Sequence, residues 1–476
     1  VSDAAQEPPS LYVAREPIFP RRVSGKFRNL KWYVMAVTLG IYYLVPWIRW
    51  DRGPNLPDQA VLSDIAGRRF YFFWIEIWPH EFYFVGGLLI MAGLGLFLFT
   101  SALGRVWCGY ACPQTVWTDL FILVERWIEG DRNARLRLHR QKMNFRKLYL
   151  RLMKWSIWLM IGLLTGGAWV FYFADAPTLA RDLISLNAHP IAYTTIAILT
   201  STTFFFGGFA REQICIYACP WPRIQAVMMD EDSITVGYRG WRGEPRKGSE
   251  DVENGADMGD CINCMACVNV CPMGIDIRDG QQMECITCAL CIDACDDVME
   301  KIGKPRGLVD YMALSDEPLE RAGQKPRNIW MHIFRPRTIL YSVLWSSVGI
   351  MLVFALFVRS PIDLSVAPIR NPVFVTLSDG SIRNTYDIRI RNQSNDESTF
   401  EIHLNAPPDL LLKLEGHPDD RLQIDAQSMK LQRVYVVTPG ESEPARAEHT
   451  DVRFWVENLA DGARAYTNST FFGKGN

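Results

Sequence analysis

The chemistry legible in this chain lies in its twelve cysteines, all between Cys108 and Cys295. Eight form two runs. In "CINCMACVNVCP", Cys261, Cys264, Cys267 and Cys271 stand at x2, x2 and x3 spacing before Pro272. "CITCALCIDAC" repeats the pattern with Cys285, Cys288, Cys291 and Cys295, with Asp296 in place of the proline. This is the bacterial ferredoxin signature, in which the fourth Cys of each run ligates the other cluster. The expected ligand sets are Cys261, Cys264, Cys267 and Cys295 for one [4Fe–4S] cluster and Cys285, Cys288, Cys291 and Cys271 for a second, about eight irons in all. Cys-x2-Cys pairs also suit tetrahedral zinc. Three cysteines in succession at x2 spacing, present in two complete copies, favour iron–sulfur and one-electron transfer.

The other four cysteines close two apolar segments with one motif, Cys-x-x-x-Cys-Pro, in "RVWCGYACPQTVW" and "REQICIYACPWPR". Thiols at i, i+4 share a helix face, and a proline cannot continue the helical ladder, so each motif presents two sulfurs where a helix stops. Four buried cysteines can be packing side chains and nothing more. Soft thiolates otherwise select Cu(I), zinc or an iron–sulfur centre. If the two copies lie side by side, Cys108, Cys112, Cys215 and Cys219 form one four-sulfur site, with sulfur–metal distances of about 2.3 Å if zinc-like. The ferredoxin runs begin 42 residues after Cys219 (261 − 219), which places such a site beside them.

The elements that hold these residues follow from hydropathy. A bilayer span needs about 20 apolar residues, and five segments qualify, near Trp32–Trp47, Phe82–Leu103, Trp155–Phe173, Ile191–Gly208 and Thr338–Val358. Residues 105–154 carry 11 Lys and Arg against 4 Asp and Glu, and residues 1–31 carry 6 against 3. By the positive-inside rule both are cytoplasmic, which places the N-terminus and every cysteine inside and the cysteine-free tail after Arg359 outside. That placement argues against an exported disulfide framework. The net charge of −2 gives no sign of nucleic acid as a partner. No cleavable signal peptide is expected, because about thirty polar residues precede the first apolar stretch.

The expected architecture is a multi-domain membrane protein. Residues 1–31 form a flexible basic arm, and 32–220 form four transmembrane helices in two repeats, each ending in the Cys-Pro motif. Residues 221–336 form a cytoplasmic two-cluster ferredoxin-like domain, 337–359 a fifth transmembrane helix, and 360–476 a periplasmic all-β immunoglobulin-like sandwich, read from alternating segments such as "NTYDIRIRNQ" and "DVRFWVEN". The stretch "RRFYFFWIEIWP" is expected to pack on the membrane surface. His80 and His189 open the second and fourth spans, and interfacial anchoring beside aromatic residues explains them better than a metal or cofactor would. His403, His417 and His449 in the tail could ligate copper, although isolated surface histidines are commoner.

This ordered combination of five spans, two Cys-Pro motifs, a dicluster module and an outer β-domain resembles the cytochrome c oxidase accessory protein family, known as CcoG, FixG or RdxA. Membrane ferredoxins of nitrate and nitrous oxide reduction share the clusters and Cys-Pro motifs but usually lack the β-domain. The resemblance implies a bacterial inner-membrane oxidoreductase that reduces Cu(II) to Cu(I) for cbb3-type oxidase assembly. Cys108, Cys112, Cys215 and Cys219 are then the copper-binding and reducing thiols. The implied partners are oxidase subunits or copper chaperones and an unknown electron donor, with quinol one candidate. The rival readings are a quinol-linked electron-transfer ferredoxin and a non-enzymatic assembly scaffold.

Overall fold

The computed structural model describes residues 17–53, 56–248, 253, 257–359, 362–394, 396–417 and 419–475. The first sixteen residues of the expected basic arm lie outside that set. The chain divides into two units, residues 1–50 with 59–350, and residues 51–58 with 351–476.

In the first unit the long helices are α1 (Lys26–Leu44), α2 (Tyr83–Leu103), α3 (Pro113–Glu129), α4 (Phe145–Val170) and α5 (Pro190–Phe205). The helix α7 (Pro336–Phe357) follows the ferredoxin region, whose own long helix is α6 (Leu290–Lys301). Among the described residues, four helices are long and apolar enough to cross a membrane: Pro79–Leu103, Phe145–Val170, Pro190–Ala210 and Pro336–Phe357. At most 22% of their apolar windows is buried in protein, which leaves lipid-facing sides uncovered.

The expected first span is not among the four, for a specific reason. Its helix α1 begins at Lys26, six residues before the apolar run at Trp32 (32 − 26), with Lys26, Arg28 and Lys31 in its first two turns. Arg28 and Lys31 are only 3% exposed because Asp119 of α3 takes both, Arg28 at 3.0 Å and Lys31 at 3.7 Å. Burial works against the Asp119 charge, but Lys31 and Arg28 hold its carboxyl below the usual carboxylate range. The other end of α1 lies along α4, where Tyr42 Oη donates to Thr165 O at 2.8 Å.

The described part of the basic arm is anchored, contrary to the expectation of flexibility. Arg21 N donates to Asn269 O at 2.8 Å, and Arg22 N to Asp131 Oδ1 at 2.9 Å. The aromatic stretch after the first span has regular structure and keeps Phe70, Phe72 and Trp74 exposed. It folds into a three-stranded antiparallel sheet of β1 (Val61–Asp64), β2 (Arg69–Phe72) and β3 (Ile75–Ile77). The alternation of Phe70, Tyr71 and Phe72 gives the period of two that a strand needs.

The ferredoxin region is closed by an antiparallel pair, β4 (Thr235–Tyr238) with β5 (Val309–Met312), which brings its two ends together. The acceptor for the α1 N-terminus comes from this region. Asp293 of α6, 7% exposed, accepts from Arg28 N at 2.7 Å and Phe27 N at 3.3 Å, and so satisfies two of the helix's orphan donors. Gly25 is required for that approach, since a Cβ there would lie 2.2 Å from the Asp293 carboxyl carbon.

The second unit contains two antiparallel sheets. One has the order β10 (Leu411–Leu414), β12 (Met429–Thr438), β8 (Ile382–Asn392), β6 (Ile362–Pro368), with β7 (Val375–Thr376) also on β8. The other has the order β11 (Arg421–Ile424), β9 (Ser398–Asn405), β13 (His449–Asn458), β14 (Arg464–Phe472). Inward positions alternate, so Tyr386, Ile388, Phe400, Ile402, Val434, Phe454 and Phe471 form a sealed core. Tyr386 Oη ties one sheet to the other by donating to Thr470 O at 2.8 Å.

Candidate functional site

The two ferredoxin loops share one backbone device. Asn263 and Met265 in the first, and Thr287 and Ala289 in the second, all have φ between 56° and 58°. Each pair occupies the same places relative to its cysteines, just before the second Cys and just after it. Left-handed residues between right-handed ones turn successive N–H groups into a concave nest for an anionic group, the geometry of many iron–sulfur sites. None of the four is glycine, so nothing in the sequence marks them. Arg278 clasps the first loop, with Nη1 donating to Asn263 Oδ1 at 2.7 Å and Asp276 paired to it at 2.6 Å.

The thiols sort into two groups by proximity. Cys295 is pushed up to about 12 by burial and then by Cys267 and Cys264 of the first run. Cys271 is pushed up to about 12 by burial and then by Cys288 and Cys285 of the second. Each fourth cysteine therefore sits among the first three of the other run. Cys267, Cys271, Cys285, Cys288 and Cys291 line one cavity, walled by Ile286 and Leu290. Thiols held this far up need a cationic partner to ionise, and metal binding would release their protons. Donor set, nest backbone and lined cavity all fit [4Fe–4S] clusters.

The Cys-Pro motifs are built differently from the helix-end picture. α2 stops at Gly104 (φ 60°), and a short helix, Val106–Tyr110, carries Cys108. Cys112 is extended (φ −58°, ψ 129°) and is the N-cap of α3, with Pro113 at its first position. In the second copy, π-helical turns at Phe206–Ala210 and Ile214–Ala218 flank Arg211 (φ 42°), Cys219 is extended, and Pro220 caps the helix Trp221–Met228. The prolines thus begin the next helix, where a missing N–H costs nothing, instead of ending the previous one. The positive φ falls four residues before the first Cys in both copies, which makes the repeat visible in the backbone.

The four thiols come together. Cys215 is pushed up to about 12 by burial first and then by its neighbours Cys112, Cys108 and Cys219. Cys108 Sγ donates to Gln225 Oε1 at 3.3 Å, and the same oxygen accepts from Arg105 Nε at 3.3 Å. Among the described residues, however, no three Cys, His, Asp or Glu side chains close on a single metal ion. The extended backbone at Cys112 and Cys219 takes each second sulfur off the face that an unbroken i, i+4 helix would share.

The motif also touches the ferredoxin loop, through a residue the sequence did not single out. A Cβ on Gly109, between the first two thiols, would lie 2.5 Å from Ile286 O and 3.0 Å from Cys288 N and Cα. Tyr110 Oη adds a bond to Cys288 O at 3.3 Å. Cys108 and Cys215 pack in one cluster with Ile286 and Cys288.

Among the described residues, the five histidines raised as ligand candidates show no comparable convergence. His80 is exposed in the turn before α2, and His189 caps α5, its Nδ1 accepting from Ile191 N at 3.3 Å. His403 stacks on Trp455, with ring centroids 4.1 Å apart, while His417 and His449 are exposed.

The comparisons agree with this arrangement. The family described as a 4Fe-4S dicluster domain matches residues 210–314, one described as a 4Fe-4S binding domain matches 84–132, and the IG-like fold at the C-terminus of FixG matches 352–474. Protein RdxB of Cereibacter sphaeroides is 67% identical over 98% of both chains. Protein RdxA of the same organism is 64% identical over 94% of this chain and 95% of its own. The nitrogen fixation protein FixG of Rhizobium meliloti is 54% identical over 87% of this chain and 84% of its own. Fold and site together define a membrane iron–sulfur protein of redox electron transfer with a C-terminal immunoglobulin-like domain. The chain belongs to the FixG/RdxA family.

Proposed function

We propose that this protein reduces Cu(II) to Cu(I) in support of copper-centre assembly in a cbb3-type oxidase, with Cys108, Cys112, Cys215 and Cys219 as the point where the substrate ion receives its electron. The observation that carries the reading is the close approach of Gly109 to Cys288, which sets the four thiols against the wall of a cluster cavity. When bound, [4Fe–4S] clusters supply one-electron chemistry. The residues of this chain do the rest. The two ferredoxin quartets hold the clusters, apolar Ile286 and Leu290 keep water from the cavity, and Arg105 with Gln225 orients Cys108. Sulfur favours the cuprous product, which suits a thiol-lined exit. Tyr217 is 68% exposed beside Cys219, so an ion can reach the rim. Each Cu(II) takes one electron from the reduced protein and leaves as Cu(I).

In this reading the N-terminus and cysteines face the cytoplasm of a bacterial inner membrane and the β-sandwich faces the periplasm, where it meets oxidase subunits or copper chaperones. The 11-to-4 charge excess of residues 105–154 supports that orientation. α1 is the fifth span, supported by its outward Tyr33, Val37, Ile41 and Leu44 and by its run along α4.

The test uses anaerobic protein, reduced chemically, freed of reductant and mixed with Cu(II) and a Cu(I)-specific chelator. The wild type should form Cu(I) rapidly, and the Cys215→Ser/Cys219→Ser variant should fall to the background rate. A variant that reduces Cu(II) as fast as the wild type overturns the reading and leaves a conduit that bypasses the quartet.

A further inference from the structure

We propose that Cys108, Cys112, Cys215 and Cys219 hold a third [4Fe–4S] cluster, in a composite cage to which each repeat contributes one half. This deepens the proposed function, on which its role as electron exit rests, by saying what the quartet holds. Three observations converge on it.

The first is the convergence itself. Cys112, Cys108 and Cys219 are the charge neighbours of Cys215, and Cys108 and Cys215 pack in one cluster with Cys271 and Cys288 of the second ferredoxin quartet. Four gathered thiols are the full ligand set of one such cluster.

The second is a cysteine count. The 4Fe-4S binding family covers residues 84–132, which contain only Cys108 and Cys112, half of what a cluster requires. The dicluster family covers 210–314, which contain ten cysteines, two more than two cages use. The surplus pair is Cys215 and Cys219, and the structure brings it to the deficient pair.

The third is a buried cation placed between thiols. Arg105 is 2% exposed, and its hydrogen bonds run to the neutral acceptors Gln225 Oε1 and Met283 O, with no carboxylate paired to it among the described residues. A buried guanidinium needs a counter-charge. Its charge acts on Cys108 and Cys215 of the quartet as well as on Cys285 of the second ferredoxin quartet, so it stands where anionic thiolate cages on both sides would face it.

Iron and acid-labile sulfide counted on the anaerobically purified full chain decide the matter. The wild type should carry about twelve of each, three cages of four. The Cys215→Ser/Cys219→Ser variant should carry about eight and keep the paramagnetic resonance signals of the ferredoxin pair. A wild-type count of about eight, with or without bound copper, overturns the proposal. Should the variant lose all its iron by misfolding, the wild-type count decides alone. Twelve irons without Cu(II) reduction would remove the copper reading and leave the third cage standing, whereas eight irons with Cu(II) reduction would do the reverse.

Discussion

Replacing Cys271 with serine should cost the protein about four irons, and they should be those of the cluster otherwise held by Cys285, Cys288 and Cys291. The assignment is counterintuitive from the chain order, since Cys271 closes the first run. In space its thiol neighbours are Cys288 and Cys285, while Cys295 takes its place beside Cys264 and Cys267. The lost cluster is also the one whose wall meets Gly109, so Cu(II) reduction should fall with it. Iron analysis joined to paramagnetic resonance reads the outcome. Loss confined to the cluster of Cys261, Cys264 and Cys267 would contradict crossed ligation.

Glu125→Ala should be the most damaging change away from the cysteines. Glu125 is 2% exposed in α3 and faces Arg135, Arg211 and Lys154. Its removal leaves buried guanidinium groups without their main partner, which costs about 3–5 kcal/mol where such pairs have been broken. Glu129 still holds Lys154 at 2.7 Å and Arg135 at 3.7 Å, so the damage should centre on Arg211. Arg211 matters most, because it carries the positive φ that sets up the turn to Cys215. A lower thermal midpoint in detergent should accompany weakened Cu(II) reduction, with Glu125→Gln milder because it keeps an acceptor. An unchanged midpoint would contradict the network's structural role.

What the residues announced in advance is what repeats at fixed spacing. Eight cysteines in two identical runs, four long apolar segments and the alternation of Ile382, Asn384, Tyr386, Ile388 and Ile390 each encode their element locally. What stayed hidden depends on partners far along the chain. Arg28 and Lys31 look like the polar flank of a span until Asp119, 91 and 88 positions away, accounts for their burial (119 − 28 and 119 − 31). The left-handed residues of the cluster loops are Asn, Met, Thr and Ala, which carry no glycine signal. The prolines of the two motifs were equally compatible with ending one helix or starting the next, and only the backbone at Cys112 and Cys219 separates those cases. Gly109 reads as an ordinary small residue until the loop at Cys288 comes to rest against it.

The central claim is that reducing equivalents stored in this protein pass to Cu(II) by way of the four Cys-Pro thiols. The most direct measurement is a single-turnover titration, in which reduced, reductant-free protein receives substoichiometric Cu(II) while Cu(I) and the visible absorption of the iron–sulfur centres are followed together. The account predicts one electron lost from the protein for each Cu(I) formed, and no such exchange when Cys108, Cys112, Cys215 and Cys219 are serine. Centres that stay reduced in the presence of Cu(II), or that lose electrons equally well without those four thiols, would contradict it.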